Sequence, residues 1–400
     1  MTQLPITRRA MLAGASVMAA PFVLSSPGLA QSGPIRLAGL VSLTGSGSPF
    51  GPNSRLAHQA VVDEVNAAGG LLGRKIEYLA EDDQTNAEAG VRAARKLIDV
   101  DKVSAIMSVW ASAVGSAVLP LCWENKVMML AISAADSLAL LPHQGYFVRT
   151  QPHTVLQAKE FGRIALAFGA KSFFLMMPQT PFTETVFQTI KETVEPKGVK
   201  VNTMIFDSKK PSFRSEVDEM MRANPDLLMM GGYLNENIVM AKDLFRANYK
   251  GKVVGFAFGM TPAFVAGAGE AAEGMYGCVE PAPAAGSGAY AKLKALVKKD
   301  TLDTYFCQAY DHANLAILAM AKGKDASGTG IRDNIRKIAN NDSAMHVDNA
   351  IDGLKALGEG KEIKYSGASG PCKFADNGNI IEVAFRTTQV KDGKLVEVKS

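Results

Sequence analysis

Residues 34–70, PIRLAGLVSLTGSGSPFGPNSRLAHQAVVDEVNAAGG, decide how the rest of the chain is read. Residues 35–41 are an apolar run of strand length. Residues 42–52 form a loop rich in small residues, in which Phe50 is the one aromatic side chain. Residues 55–68 then place Leu56, Ala60, Val61 and Val65 on one helical face, and Gly69-Gly70 ends the helix. A strand, a glycine-rich loop and a helix N-terminus together allow backbone N–H groups to face a small ligand.

One reading of that loop is a dinucleotide fingerprint. Gly45, Gly47 and Gly51 approach G-x-G-x-x-G, and Glu81, Asp82 and Asp83 end the next strand, where a ribose-binding acid would sit. The spacing argues against it. A dinucleotide loop turns directly from strand into helix so that the pyrophosphate touches both, whereas here residues 42–52 intervene and the last glycine gap is one residue too long. The other reading is a loop that carries Phe50 over a ligand cleft.

Onward from Arg74, apolar strand-length runs alternate with helical periods. Strands are expected at 76–81, 103–108 and 127–132, and helices at 87–99 and 113–125. The pattern restarts after residues 147–150 with a helix over 156–168 and continues through a strand over 253–258. Such alternation implies βαβ units around parallel sheets. The Pro-, Ala- and Gly-rich stretch 280–288 has the composition of a hinge, and a long helix is expected over 305–322. The fold class is therefore α/β, with two doubly wound parallel-sheet lobes, a multi-strand hinge and a ligand cleft between the lobes. The expected division is an export signal over 1–30, a first lobe from 32–150 plus 282–375, and a second from 151–281 plus 376–400.

The chain has 400 residues, 47% of them apolar, enough for about two cores. Its formal charge is +4, and Arg8 and Arg9 of the leader supply two of those charges. No basic stripe with interleaved aromatics appears, so nucleic acid is not an expected partner. The apolar segment 11–24 is too short to span a bilayer and follows Arg8-Arg9. Thr7-Arg8-Arg9-Ala10-Met11-Leu12 resembles a twin-arginine motif, and Gly28-Leu29-Ala30 offers small residues for cleavage near Ala30. The lysine that usually follows the motif is missing, which leaves twin-arginine and general export both open. No cysteine lies near that site, which argues against a lipid anchor.

Cys122, Cys278, Cys307 and Cys372 would reach an oxidising compartment. Four cysteines allow three pairings, while the apolar settings of Cys122 and Cys307 suit buried thiols. No C-x-x-C and no metal-like histidine spacing occurs, so no metal or cofactor is expected.

Several words occur in an order that resembles the leucine/isoleucine/valine-binding family of type I periplasmic binding proteins. They are SLTG with Phe50-Gly51, NAAGGLLGRKIE, Glu81-Asp82-Asp83-Gln84, Ala111-Ser112-Ala113-Val114, Phe147-Val148-Arg149-Thr150 and Gly231-Gly232-Tyr233. Ala271-Ala272-Glu273-Gly274-Met275, Tyr305, Tyr310-Asp311 and SGASGPCKFADNG follow. The resemblance implies a monomeric, non-enzymatic solute-binding subunit of an ABC importer. It would act in the periplasm with a small-molecule solute and a membrane permease complex as partners.

The departures from the family pattern set the expected solute. Members that bind amino acids hold the α-carboxylate with a Ser-Ser pair and a threonine, and the ammonium with an acid. Those positions fall at Ala111-Ser112, at Ala135 after Ala134, and at or near Phe258. An unpartnered buried ammonium costs several kcal/mol. The expected ligand-binding set is Phe50, Trp110, Ala111, Ser112, Ala134, Ala135, Phe182, Tyr233 and Phe258, with Phe256 a further aromatic candidate. The expected solute is an aromatic or apolar carboxylate or amide. Arg55, His58 and Arg149 are candidate carboxylate partners, each with a structural role as its alternative. A branched-chain amino acid is the alternative solute. An exported dinucleotide-dependent oxidoreductase is the alternative of another class, though no G-x-S-x-G elbow or Cys–His pair supports it.

Overall fold

Strands made of consecutive apolar residues need cover on both faces, which parallel sheets obtain from their crossover helices. The computed structural model describes residues 33–299 and 301–398. The expected export signal lies outside the described residues, and the chain from Pro34 onward is one unit. Its first sheet holds β1 (Ile35–Val41), β2 (Ile76–Asp82), β3 (Ala105–Val109), β4 (Met128–Ala131) and β5 (Phe147–Arg149). All pair in parallel, in the order β2-β1-β3-β4-β5. Every residue of β3, β4 and β5 is buried. One face packs on Val61, Tyr310 and Leu318, and the other on Leu97, Val114 and Leu119.

The second sheet repeats the design. β6 (Ser172–Pro178), β7 (Lys200–Phe206), β8 (Leu227–Met230), β9 (Lys252–Phe256) and β10 (Tyr276–Pro281) are parallel. A small sheet follows, made of β11 (Met345–Val347), β12 (Ile363–Gly367) and β13 (Gly370–Pro371). The chain then adds β14 (Phe385–Lys391) antiparallel to β10, and β15 (Lys394–Val398) antiparallel to β14, for the order β15-β14-β10-β9-β8-β6-β7. Within each lobe the first strand lies between the second and third. Each sheet therefore has a switch point, β1/β3 in one and β6/β8 in the other, where ligands gather beyond the strand carboxyl ends.

The chain crosses between the sheets three times: after β5, after β10 and before β14. The crossings are tied to one another. Ala282 N–H donates to Ala384 O at 2.8 Å and Ala284 N–H to Ala368 O at 2.9 Å. Buried Asp311 accepts from Ala368 N, Ser369 N and the hydroxyls of Tyr365 and Ser369. The third crossing lies after Ile380, which still packs in the first lobe, whereas the sequence placed that break after residue 375.

Two boundaries differ in ways that matter for the site. The helix expected from Arg55 begins at Gly51 and runs to Ala67, because Pro52 suits the first helical turn. Phe50 thus becomes its N-cap residue. The strand expected to reach Phe258 ends at Phe256, and a 3₁₀ turn over Ala257–Gly259 carries Phe258 out of the sheet. The strand Tyr276–Pro281 was not legible in the sequence, because its second half merges with the proline-rich hinge. All four cysteines are buried free thiols.

Candidate functional site

The loop after β1 owes its shape to the acids that end β2. Asp82 accepts from Leu43 N, Thr44 N and the Thr44 hydroxyl, and Asp83 accepts from the Ser42 hydroxyl at 2.7 Å. These carboxylates are the ones a dinucleotide reading would assign to a ribose, and here they pin the loop. Gly51 is required for the same reason: a Cβ there would lie 2.0 Å from Ser42 O. The result places Phe50, 7% exposed, against Trp110 at 5.5 Å and Tyr305 at 4.8 Å between ring centroids.

The loop after β3, at the same switch point, supplies Trp110, Ala111 and Ser112. Ala111 is the N-cap residue of the helix Ser112–Glu124 and has no side chain to cap it. The Ser112 hydroxyl instead accepts from Ala135 N at 3.2 Å and keeps its own proton to donate. Ala135 is fully buried, and its carbonyl accepts from Arg149 Nη1 at 2.7 Å. Arg149 also bonds Ser133 O and Asn379 Oδ1, and burial pushes its guanidinium down to about 10. Arg149 therefore braces the loop after β4 from behind.

From the second lobe, Phe182 follows β6 and Tyr233 follows β8. Gly259 allows the turn after β9 to lie against Asn237, whose Nδ2 donates to Gly259 O at 3.2 Å; a Cβ there would sit 2.4 Å from that nitrogen. This close approach brings Phe258 within 5.7 Å of Tyr233 and 6.0 Å of Trp110, with its ring stacked on Phe256 at 5.0 Å. Burial, with Glu236 nearby, pushes the Tyr233 phenol up to about 12. Burial likewise raises Tyr305.

These side chains enclose a cavity of about 40 Å³ between the lobes. Of the residues expected in the site, Trp110, Ala111, Ser112, Ala134, Phe182, Tyr233 and Phe258 line it. Ala135 stands one layer behind it, and Phe50 lines a larger neighbouring chamber. Ile132, Gln151, Thr154, Gln157, Phe256 and Tyr305 complete the lining. Tyr305 was visible only as a word of the family resemblance, because it comes from a helix far along the chain. Gln151 and Gln157 flank the first crossing, in a stretch already polar at Arg149, Thr150, His153 and Thr154, so no local signal singled them out.

None of the residues that line this cavity carries a charge. Arg55 is exposed, and Arg149, which is not among the lining residues, bonds the Ser133 and Ala135 carbonyls through Nη1 while its buried Nη2 has no hydrogen-bond partner among the described residues. His58 is fully buried between the Tyr78 hydroxyl and the Ser108 hydroxyl, at 2.9 Å from each. The lining can offer a carboxylate neutral donors only, among them the Ser112 hydroxyl, the Tyr233 and Tyr305 hydroxyls, the amide groups of Gln151 and Gln157, and backbone N–H groups of the first helical turn after Ala111. Among the described residues no group of His, Cys, Asp and Glu could hold a metal ion, and no helix is long and apolar enough to cross a membrane.

Residues 34–394 match the Periplasmic binding protein family profile. A leucine-, isoleucine-, valine-, threonine- and alanine-binding protein of Pseudomonas aeruginosa is 24% identical over 245 residues, which are 60% of this chain and 64% of that protein. A Leu/Ile/Val-binding protein homolog of Brucella melitensis is 22% identical over 90% of this chain and 93% of its own. The fold is similar to the leucine binding protein LivK of Thermotoga maritima, with a TM-score of 0.78 and 21% identity over 91% of this chain and 98% of that one. It is also similar to a solute binding protein of Rhodopseudomonas palustris solved with benzoate, with a TM-score of 0.73 and 16% identity over 92% of this chain and 96% of that one.

Proposed function

This chain belongs to the periplasmic binding protein family, and we propose that it is the exported solute-binding subunit of a branched-chain-amino-acid-type ABC importer. Its solute is an aromatic or apolar carboxylate or amide, which it binds without chemistry and passes to a membrane permease complex. The observation that carries this reading is the uncharged lining of the inter-lobe cavity. An α-amino acid would bring an ammonium group to a wall of Trp110, Tyr233, Phe258 and Tyr305 with no carboxylate among the lining residues. That desolvation costs several kcal/mol.

A carboxylate alone fits the lining better. Ser112 and the uncapped first turn after Ala111 are donors, and a helix N-terminus favours a negative group by roughly 0.3–1 kcal/mol. The aromatic wall then receives the apolar body, each ring pair adding about 0.5–1.5 kcal/mol beyond area burial. The Rhodopseudomonas palustris neighbour solved with benzoate is consistent with this reading. The relatives named for leucine, isoleucine and valine make a branched-chain amino acid the second reading.

Calorimetry with benzoate and with leucine separates the two. Benzoate is expected to bind near or below 10 µM, roughly −7 kcal/mol, with leucine silent. Leucine binding in that range with benzoate silent would overturn the assignment. Recovery of an altered solute after incubation would overturn the absence of chemistry.

A further inference from the structure

The cavity at Ser112 is too small for the solute it is assigned. At about 40 Å³ it has room for roughly three waters, the bulk of a carboxylate group and no more. Directly beside it lies a second chamber of about 980 Å³. The two share Gln151, Gln157, Phe256, Phe258 and Tyr305, so the rings of Phe258 and Tyr305 form a partition and not a separate wall for each. Phe258 stands on a three-residue turn beyond the end of β9 and is only partly buried. Its ring meets Trp110 edge-on, Tyr233 at a tilt and Phe256 in a stack, and it packs against the cluster of Phe50, Ile132 and Tyr305.

The chamber's lining specifies what it would take. Its apolar walls come from both lobes: Phe50, Leu302 and Phe306 from the first, Met260, Val265 and Val279 from the second. Of its charged side chains, Arg386 and Glu280 are paired with each other, and the Asp303 carboxylate is held by neutral donors. Arg386 makes two hydrogen bonds of 2.7 Å to the two oxygens of Glu280. Asp303 accepts from Asn53 at 3.0 Å and from Phe306 N at 2.9 Å. A charged group entering beside Glu280 and Arg386 would have to break a satisfied pair. Thr304 Oγ1 is the exception among the chamber's side chains, being buried and without a hydrogen-bond partner among the described residues.

We infer that the chamber beyond Phe258 is the second half of the solute site and takes the neutral, largely apolar body of an elongated aromatic carboxylate whose acid end lies at Ser112. This rests on the solute class proposed above and adds its length. Phe258 is the positioning residue of the arrangement, since its ring must move aside for one molecule to occupy both spaces.

The test compares benzoate with biphenyl-4-carboxylate by calorimetry on the exported chain. The longer acid is expected to bind at least tenfold more tightly. In Ala263→Trp, a substitution at an exposed position that lines the chamber and not the cavity at Ser112, that ratio is expected to fall to near one. Ala266→Trp, on the same wall and also exposed, serves if the first variant does not fold. A ratio near one in the unmodified protein, with benzoate bound, would overturn the chamber's role and leave the solute class intact. A tenfold ratio that survives both tryptophans would equally overturn it. Failure of both acids to bind, with leucine bound, would remove the solute class and the chamber's role together.

Discussion

Ala135 N–H donates to the Ser112 hydroxyl at 3.2 Å, joining the loops that follow β3 and β4 at the carboxyl edge of the first sheet. The bond does two things. It satisfies a buried amide that no strand partner reaches, and it leaves the serine proton directed elsewhere. Ser112 is thus both a brace and the one hydroxyl at the mouth of its helix.

Ser112→Ala should therefore act on affinity and on stability. Losing a hydrogen bond to a charged group costs about 1.5–3 kcal/mol, so carboxylate affinity should fall by tenfold or more. The unpaired Ala135 amide should lower the unfolding free energy by about 1–3 kcal/mol. Calorimetry and urea unfolding read the two separately. Lost stability with unchanged affinity would leave Ser112 as a brace only.

Phe50→Ala removes a ring that contacts both Trp110 and Tyr305. Truncating a buried phenylalanine costs about 3–5 kcal/mol of stability. Solute affinity should drop about tenfold as well, near 1.4 kcal/mol, because the partition loses its support on the first-lobe side. An unchanged dissociation constant in a folded variant would show that Phe50 only packs.

Acid should weaken the fold through its buried imidazoles. Burial pushes His58 down to about 3 and His312 well below its ordinary value. Between about pH 6.5 and pH 4 the unfolded chain binds protons on these residues that the native chain does not, so their contribution to stability falls as pH falls, offset in part by buried Asp311, which is raised to about 6 and acts with the opposite sign. Each histidine contributes at most roughly 1.4 kcal/mol per pH unit. Urea unfolding at pH 4, 5, 6 and 7 should give His58→Gln a shallower decline than the unmodified protein. Equal slopes would refute the assignment.

The thiols should be inert until the protein unfolds. Burial pushes Cys122 and Cys278 up to about 12, and Cys307 and Cys372 are raised as well. Thiolate is the reactive form, so Ellman's reagent should find no fast-reacting group in the native protein and four after denaturation. A melting temperature that shifts with reductant would contradict four free thiols.

Much of the architecture was legible along the chain, for a local reason. Strands such as Leu227–Met230 are continuous apolar runs, and helices such as Thr183–Val194 alternate faces, so period and length identify each without knowledge of its neighbours. Elements whose cover is supplied from a distance were not legible. Ile363–Gly367 is too polar at Lys364 and Ser366 to stand out, and it is held by Asp311 and by its pairing with Met345–Val347.

The site divides along the same line. Residue types carry the proposed chemistry: alanines at positions where the family resemblance implies hydroxyls, and aromatics in the loops of two lobes. Which of those rings meet depends on strand order, because the β1/β3 and β6/β8 switch points face one cleft only after both sheets have formed. Asp82 and Asp83 look like ribose ligands in one dimension and are loop anchors in three. Arg149 looks like a carboxylate partner, yet its Nε and Nη1 hold Ser133, Ala135 and Asn379 behind the cavity wall. Tyr305 enters the wall from a helix some two hundred residues after Trp110, a distance that no local period encodes. Hydrogen-bond occupancy and long-range packing are properties of the folded chain, and here they separate the residues that face the cavity from those that hold its walls.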